Sequence, residues 1–301
     1  MRSISRGTLG IIILFIVVIL SIPGCGPTST PDTKVLSNDQ NFTFAVIGDY
    51  GTPEDSTRAV ADLVKSWAPD FIITSGDNSY PFATEDVIDM NIGQYYHGYI
   101  YPYKGSYGSG ARFKNRFFPT LGNHDWPSGP YPEAYLEYFT LPGNERYYDF
   151  VWGPVHFFVL DSDDEEPDGT EQDSIQAQWF KERIATSTST FKFVNFHQPP
   201  YSSGNHGSLL RTQWPYEIWG VDVVFSGHDH TYERLMKNNV LYFVNGLGGK
   251  SIYHFNTPLP ESQVRYNGDY GAMLVQIASN TATFSFYNIS AQLIDTITIT
   301  K

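Results

Sequence analysis

The chain has a single cysteine, Cys25, in 301 residues, so no disulfide can form within it. The fold must rest on its core or on bound metals. Basic residues are scarce, 19 Lys and Arg against 32 Asp and Glu, for a formal net charge of −13. That balance excludes an electrostatic nucleic-acid binder. Long apolar runs are missing as well. The one candidate, Ile11–Leu20, falls short of the roughly 20 residues a spanning helix needs. No segment repeats at a fixed period. The length suits one large domain with a sizeable core.

The N-terminus reads as an export signal. Arg2 and Arg6 precede the apolar run, and small residues follow it before Cys25, which predicts a signal peptide over residues 1–24. "IPGC" resembles a bacterial lipobox, with Pro23 where a small or β-branched residue is usual. The resemblance implies a lipid on Cys25 and an exported protein of the cell envelope, held at a membrane. Residues 25–41 are rich in Pro, Ser and Thr without apolar periodicity and read as a tether. The remaining 42–301 form the domain. Nothing in the sequence singles out a protein partner.

Beyond the tether, apolar runs short enough for buried strands alternate with helical patterns. "FTFAVIGD" (Phe42 to Asp49) is followed by "TPEDSTRAVADLVKSW", where Thr52 is expected to cap a helix, Pro53 to open it and Asp55 to complete a capping box. "FIITSGD", "FFPTLGNHD", "FKFVNFH" and "VDVVFSGH" repeat the strand pattern, and helices are predicted over 172–187 and 209–219. The mid-chain "YYDFVWG" and "VHFFVLDS" read as a hairpin, and the tail, with "VLYFVNG", "AMLVQIA", "TATFSFYN" and "LIDTITIT", reads as antiparallel strands. The aromatic segment 93–113 reads as a structured loop that either packs on the edge of the fold or meets substrate. His97, His156 and His254 read as packing or surface residues.

Each of five apolar runs stops at Gly, Asp, Asn or His. In open α/β sheets ligands gather at the carboxyl ends of strands, so these ends are expected to share one cleft. They carry Asp49, Asp77, Asn123, His197, and the pair His228 and His230, an oxygen and imidazole set suited to first-row transition ions. A carboxylate can bridge two cations, and two cations roughly 3.5 to 4 Å apart can clamp both oxygens of a phosphoryl displacement.

In order, "GDYG", "GDNSY", "GNHD", "VNFH" and "GHDH" match the block signature of the metallophosphoesterases, and the chain resembles their purple acid phosphatase branch from about Phe42 to Ala278. The resemblance implies a four-layer α/β/β/α sandwich with two mixed central sheets, in its short form without a large N-terminal β domain. Most calcineurin-like members carry a histidine two residues after the first Asp, where this chain has Gly51. Purple acid phosphatases instead supply a tyrosine three residues after the bridging Asp, and Tyr80 stands there.

Carried over residue by residue, the resemblance implies an Fe(III) site of Asp49, Tyr80, His230 and the bridge Asp77. Beside it would lie a divalent ion (Fe, Zn or Mn) on Asp77, Asn123, His197 and His228. His124 would donate to a phosphate oxygen and His206 would protonate the leaving alkoxide. Asp125 and Asp229 would orient neighbouring imidazoles. The implied activity is hydrolysis of a phosphomonoester by metal-activated hydroxide, the ions reversing the acidic sign of the cleft. A phosphodiesterase or nucleotide hydrolase of the same fold is the alternative. A more distant one is a surface lipoprotein without turnover.

Overall fold

The computed structural model describes residues 33–126 and 131–301. The signal peptide and Cys25 lie outside the described residues. Within them, apolar and β-branched runs give β1 (Lys34–Ser37), β2 (Asn41–Ile47), β3 (Phe71–Thr74), β4 (Phe117–Pro119), β5 (Tyr148–Trp152), β6 (Val155–Val159) and β7 (Phe191–Asn195). The second half adds β8 (Val223–Ser226), β9 (Tyr232–Lys237), β10 (Val240–Asn245), β11 (Ser262–Tyr266), β12 (Gly271–Ala278), β13 (Thr281–Asn288) and β14 (Leu293–Thr300).

The strands form two mixed sheets. One has six strands in the order β14-β13-β12-β2-β3-β4; the other has eight, β1-β5-β6-β7-β8-β10-β9-β11. β2, β3 and β4 run parallel, as do β6, β7, β8 and β10. Parallel strands bury both faces, and β3, β6 and β8 are buried along their whole length.

Aromatic rings fill the space between the sheets. Phe44 of β2 meets Phe157 of β6 edge-on at 5.2 Å, Phe71 of β3 meets Phe157 at 5.5 Å, and Phe118 of β4 stacks on Phe150 of β5 at 4.1 Å. Such pairs add about 0.5–1.5 kcal/mol each beyond the area they bury. Helix Asp55–Ser66 lies over β12 on the outside of the six-stranded sheet. Helix Ile175–Ala185 buries Ala177, Phe180 and Ile184 with Phe158, Val194 and Val224 on the outside of the eight-stranded one. The result is the α/β/β/α sandwich expected from the sequence. No helix among the described residues is long and apolar enough to cross a membrane.

Local departures from the sequence reading have physical causes. Thr52 does not cap the first helix, which starts at Asp55 after Glu54; its hydroxyl is buried against that of Thr57 at 2.8 Å. The helix expected over 209–219 is broken into a 3-10 turn, Leu210–Thr212, and a single turn, Tyr216–Trp219. Pro215 lacks an N–H and disfavours helix at Trp214. Lys34–Ser37, read as tether, pairs parallel to β5 as an edge strand. β10 joins the parallel part of its sheet beside β8 while pairing antiparallel with β9. The 5-residue β5 and β6 form the expected hairpin. His156, on β6, bonds Asp149 and Ser187 as a packed residue. Segment 93–113 packs largely on the edge of the fold: Tyr95 and Tyr96 are buried in the core, and Tyr103 donates to Asp89.

Candidate metal centre

The carboxyl ends of β2, β3, β4, β7 and β8 do meet, and both sheets contribute to what lies there. From the six-stranded sheet come Asp49, Asp77, Tyr80, Asn123 and His124; from the eight-stranded one come His197, His228 and His230, the last on the turn into β9. Asp49, Asp77 and His228 all take positive φ, at 57°, 52° and 67°. A left-handed conformation costs a non-glycine residue about 1–3 kcal/mol, and here it turns three side chains into one cleft.

Two groupings share Asp77. In the first, the Tyr80 hydroxyl donates to Asp77 Oδ2 at 2.7 Å and lies 3.3 Å from both Asp49 Oδ1 and His230 Nε2. Ligand atoms of Asp49, Asp77 and His230 fall within 4.8 Å of one another. In the second, His197 Nε2 lies 3.1 Å from Asn123 Oδ1, 3.2 Å from His228 Nδ1 and 3.4 Å from Asp77 Oδ1. His197 Nδ1 donates to the Ser75 carbonyl at 2.8 Å, which fixes the tautomer and leaves Nε2 facing the cleft. All seven residues expected as ligands therefore converge.

The charge balance of this pocket calls for a cation. Asp49 and Asp77 are buried, and among the described residues neither has a Lys or Arg partner; only His230 and His197 pair with them. Burial pushes the Asp77 carboxyl up, yet the charges of His197 and His124 and bonds from His197 and Tyr80 hold it well below the usual carboxylate range. Burial pulls His197 down, but Asp77 outweighs it and takes the imidazole up to about 10. His228 goes the other way, down to about 2, through burial and then the neighbouring His197 and His206. Burial, then Asp77 and Asp49, push the Tyr80 phenol well above its ordinary value. Two buried carboxylates, a phenol and imidazoles without a basic partner fit a metal site.

Gly51 leaves no room for a side chain at its position. A Cβ there would lie 2.2 Å from the carbonyl carbon and oxygen of Asn78 and 2.3 Å from the Ser79 nitrogen. No side chain fits, and the Gly51 carbonyl instead accepts from the Tyr80 N–H at 2.8 Å. Gly122 is similarly closed: a Cβ would meet the Asp77 nitrogen at 2.3 Å. The turn after β4 thus passes against the Asp77 backbone, and the His124 N–H donates to Asp77 Oδ1 at 2.9 Å.

His124 and His206 border this cleft. The His124 ring lies against Tyr80 with centroids 4.5 Å apart, and its Nδ1 donates to the Pro81 carbonyl at 2.6 Å. The His206 ring is 4.2 Å from His228. Asp125 and Asp229 orient backbone rather than imidazoles. Asp125 accepts from Asn78 N and Nδ2 and from Gly122 N, and burial, then Asp77, raises it to about 7. Asp229 accepts from Ser202 Oγ and from the N–H groups of His206 and Gly207, fixing the His206 loop.

The loop after β10 escaped the sequence reading. Ser251 Oγ lies 2.6 Å from His230 Nδ1, Tyr253 stacks on the His230 ring at 4.1 Å, and Lys250 Nζ sits over the Tyr80 ring at 5.2 Å. Its signal was the same as that of the other ends: the apolar run "VLYFVNG" breaks into the polar, glycine-rich "LGGKS".

Residues 42–232 match the calcineurin-like phosphoesterase family. The chain is 24% identical to Purple acid phosphatase 7 of Arabidopsis thaliana, over 88% of this chain and 88% of that one. It is 23% identical to human Tartrate-resistant acid phosphatase type 5, over 93% and 90%. Purple acid phosphatase PPD1 from yellow lupin shares the fold at a TM-score of 0.68 and 16% identity, covering 88% of this chain and 55% of that one. Plasmodium GAP50, described as the anchor in the inner membrane complex, also shares the fold at a TM-score of 0.68 and 19% identity, over 87% and 89%. The purple acid phosphatase relatives imply a binuclear metal centre, and Asp49, Asp77 and His230 lie close enough to hold part of one. The chain belongs to the calcineurin-like phosphoesterases and is a phosphate-ester hydrolase with purple acid phosphatases among its relatives.

Proposed function

We propose that the chain is a phosphomonoesterase of purple acid phosphatase type. In this reading Asp49, Tyr80, His230 and Asp77 hold Fe(III), and Asp77, Asn123, His197 and His228 hold a divalent Fe, Zn or Mn ion. The observation that carries it is the Tyr80 oxygen, seated among Asp49, Asp77 and His230 while the position of the alternative histidine is closed at Gly51. A phenolate is a hard anionic donor and favours a ferric ion. When bound, such a metal pair supplies Lewis-acid polarisation of phosphoryl oxygens and lowers the pKa of water.

The rest falls to the chain's own side chains. Asp77, shared by both groupings, sets their spacing. With Nδ1–H committed to Pro81, His124 can donate from Nε2 to a phosphate oxygen only as imidazolium. His206, its backbone anchored by Asp229, is placed to deliver a proton to the departing alkoxide. Ser251 orients His230 through its second nitrogen.

The test is the visible absorption spectrum and metal content of the purified protein beside Tyr80→Phe. A charge-transfer band lost in the variant, with iron near one per chain, supports the reading. A colourless, active protein with two divalent ions would overturn the ferric assignment and favour the diesterase or nucleotide-hydrolase alternative. Initial rates on a monoester and its diester then decide between those substrates, and turnover that disappears in His197→Ala removes the non-catalytic lipoprotein. Export and lipid attachment at Cys25 belong to the same proposal, and the mass of the cell-derived chain tests them.

A further inference from the structure

Acid is distributed unevenly along this chain. From Asn91 to His124 there is no Asp or Glu, in a sequence holding 32 of them, while Lys104, Arg112, Lys114 and Arg116 all fall within that stretch. The same stretch carries large exposed apolar groups: Phe113 is 88% exposed, more than any other large hydrophobic residue described, and Tyr101 and Tyr107 are each 42% exposed. Phe113, Tyr101 and Lys114 line a groove of about 300 Å³ together with Lys34, Leu36 and Leu141, and no acidic side chain lines it. Lys114 Nζ sits over the Trp152 ring, 4.1 Å from its centroid.

We propose that this face seats on an anionic lipid surface. Cations interleaved with exposed aromatics, on a protein otherwise strongly acidic, are what a headgroup layer of negative charge selects: the cations meet phosphates and the rings enter the interface. The chain path agrees. Lys34 borders the groove and lies nine residues after Cys25, a span of at most about 30 Å when extended. A lipid on Cys25, which is part of the proposed function, would hold this face close to the bilayer. The docking face itself does not depend on that lipid or on phosphatase activity. Lys114 and Asn115 enter β4 at its amino end, and Asn123 and His124 follow its carboxyl end, so docking leaves the catalytic cleft uncovered.

The full chain carrying Cys25→Ser is free of cysteine, so Phe113→Cys in that background gives one thiol for an environment-sensitive fluorophore. Ile218→Cys, at a position 77% exposed on another part of the surface, serves as the reference. With vesicles of phosphatidylcholine and phosphatidylglycerol, the label at 113 is expected to shift to the blue and the label at 218 to stay unchanged. Pure phosphatidylcholine should leave both unshifted. Adding Arg112→Glu and Lys114→Glu should weaken vesicle binding at least roughly fivefold for each cation lost. Equal responses at the two positions, or none at 113, would overturn the proposal. So would a blue shift at 113 that appears on raising protein concentration without vesicles, which would assign the face to a second copy of this chain. Lipid attachment is read separately, from the mass of the wild-type chain.

Discussion

The two sheets bring opposite chemistry to the cleft. The six-stranded sheet delivers hard oxygen donors, Asp49, Asp77, Tyr80 and Asn123; the eight-stranded sheet delivers imidazoles, His197, His228 and His230. Neither half is a metal site alone. The centre exists only where the sheets stack, so its geometry is set by the packing between them. Two buried amides sew that seam just beneath the cleft: Asn195 Nδ2 of β7 donates to the Thr74 carbonyl of β3, and Asn245 Nδ2 of β10 to the Val46 carbonyl of β2, each at 2.8 Å.

The sharpest way to break this partnership is through the rings between the sheets. Phe44→Ala should cost about 3–5 kcal/mol in denaturant unfolding, and metal content at equal folded fraction should fall with it. Asp149→Ala is the control away from the seam. Asp149 accepts from His156, Arg183 and Thr33, and its loss should cost about 3 kcal/mol while leaving the metal stoichiometry intact. Burial would raise the Asp149 carboxyl, but His156, Thr33 and Arg183 hold it below its usual value. A carboxylate depressed in the folded state stabilises above its unfolded pKa and loses that contribution as the pH falls through the depressed one. The acid limb of the stability curve should therefore be steeper in the wild type than in Asp149→Asn. Asn195→Ala removes one stitch and leaves a buried carbonyl without that donor, for about 2 kcal/mol in the same unfolding assay. Ser251→Ala, the mildest, should lower metal affinity roughly tenfold by competition titration while leaving thermal stability of the metal-free protein nearly unchanged.

Both halves were equally legible in sequence, because Asp49, Asp77, Asn123, His197, His228 and His230 all lie where apolar runs end. Tyr80 closes no run, and only the family resemblance pointed to it, three residues after Asp77. Ser251 and Tyr253 reach His230 because β10 lies beside β8 and β9; the polar break after "VLYFVNG" marks the loop, but not which side chain it meets. β9 and β11 went unseen because "YERLMK" and "SQVRY" mix charge with modest alternation; pairing, rather than propensity, makes them strands. Asp125 and Asp229 sit next to histidines in sequence, yet both turn to backbone N–H groups, because a buried turn's donors must be satisfied before an imidazole gains a partner.

The closed space at Gly51 also constrains how such a centre can evolve. To exchange the tyrosine for the histidine usual in the wider family, a lineage would have to install a side chain where the Asn78–Ser79 backbone already stands. It would also have to give up Tyr80. Either change alone leaves a clash or a missing donor, so the two are separated by a broken intermediate. Under the proposed ligand set, the identity of the metal is thereby tied to the path of a loop, and a lineage that has taken this path keeps its tyrosine.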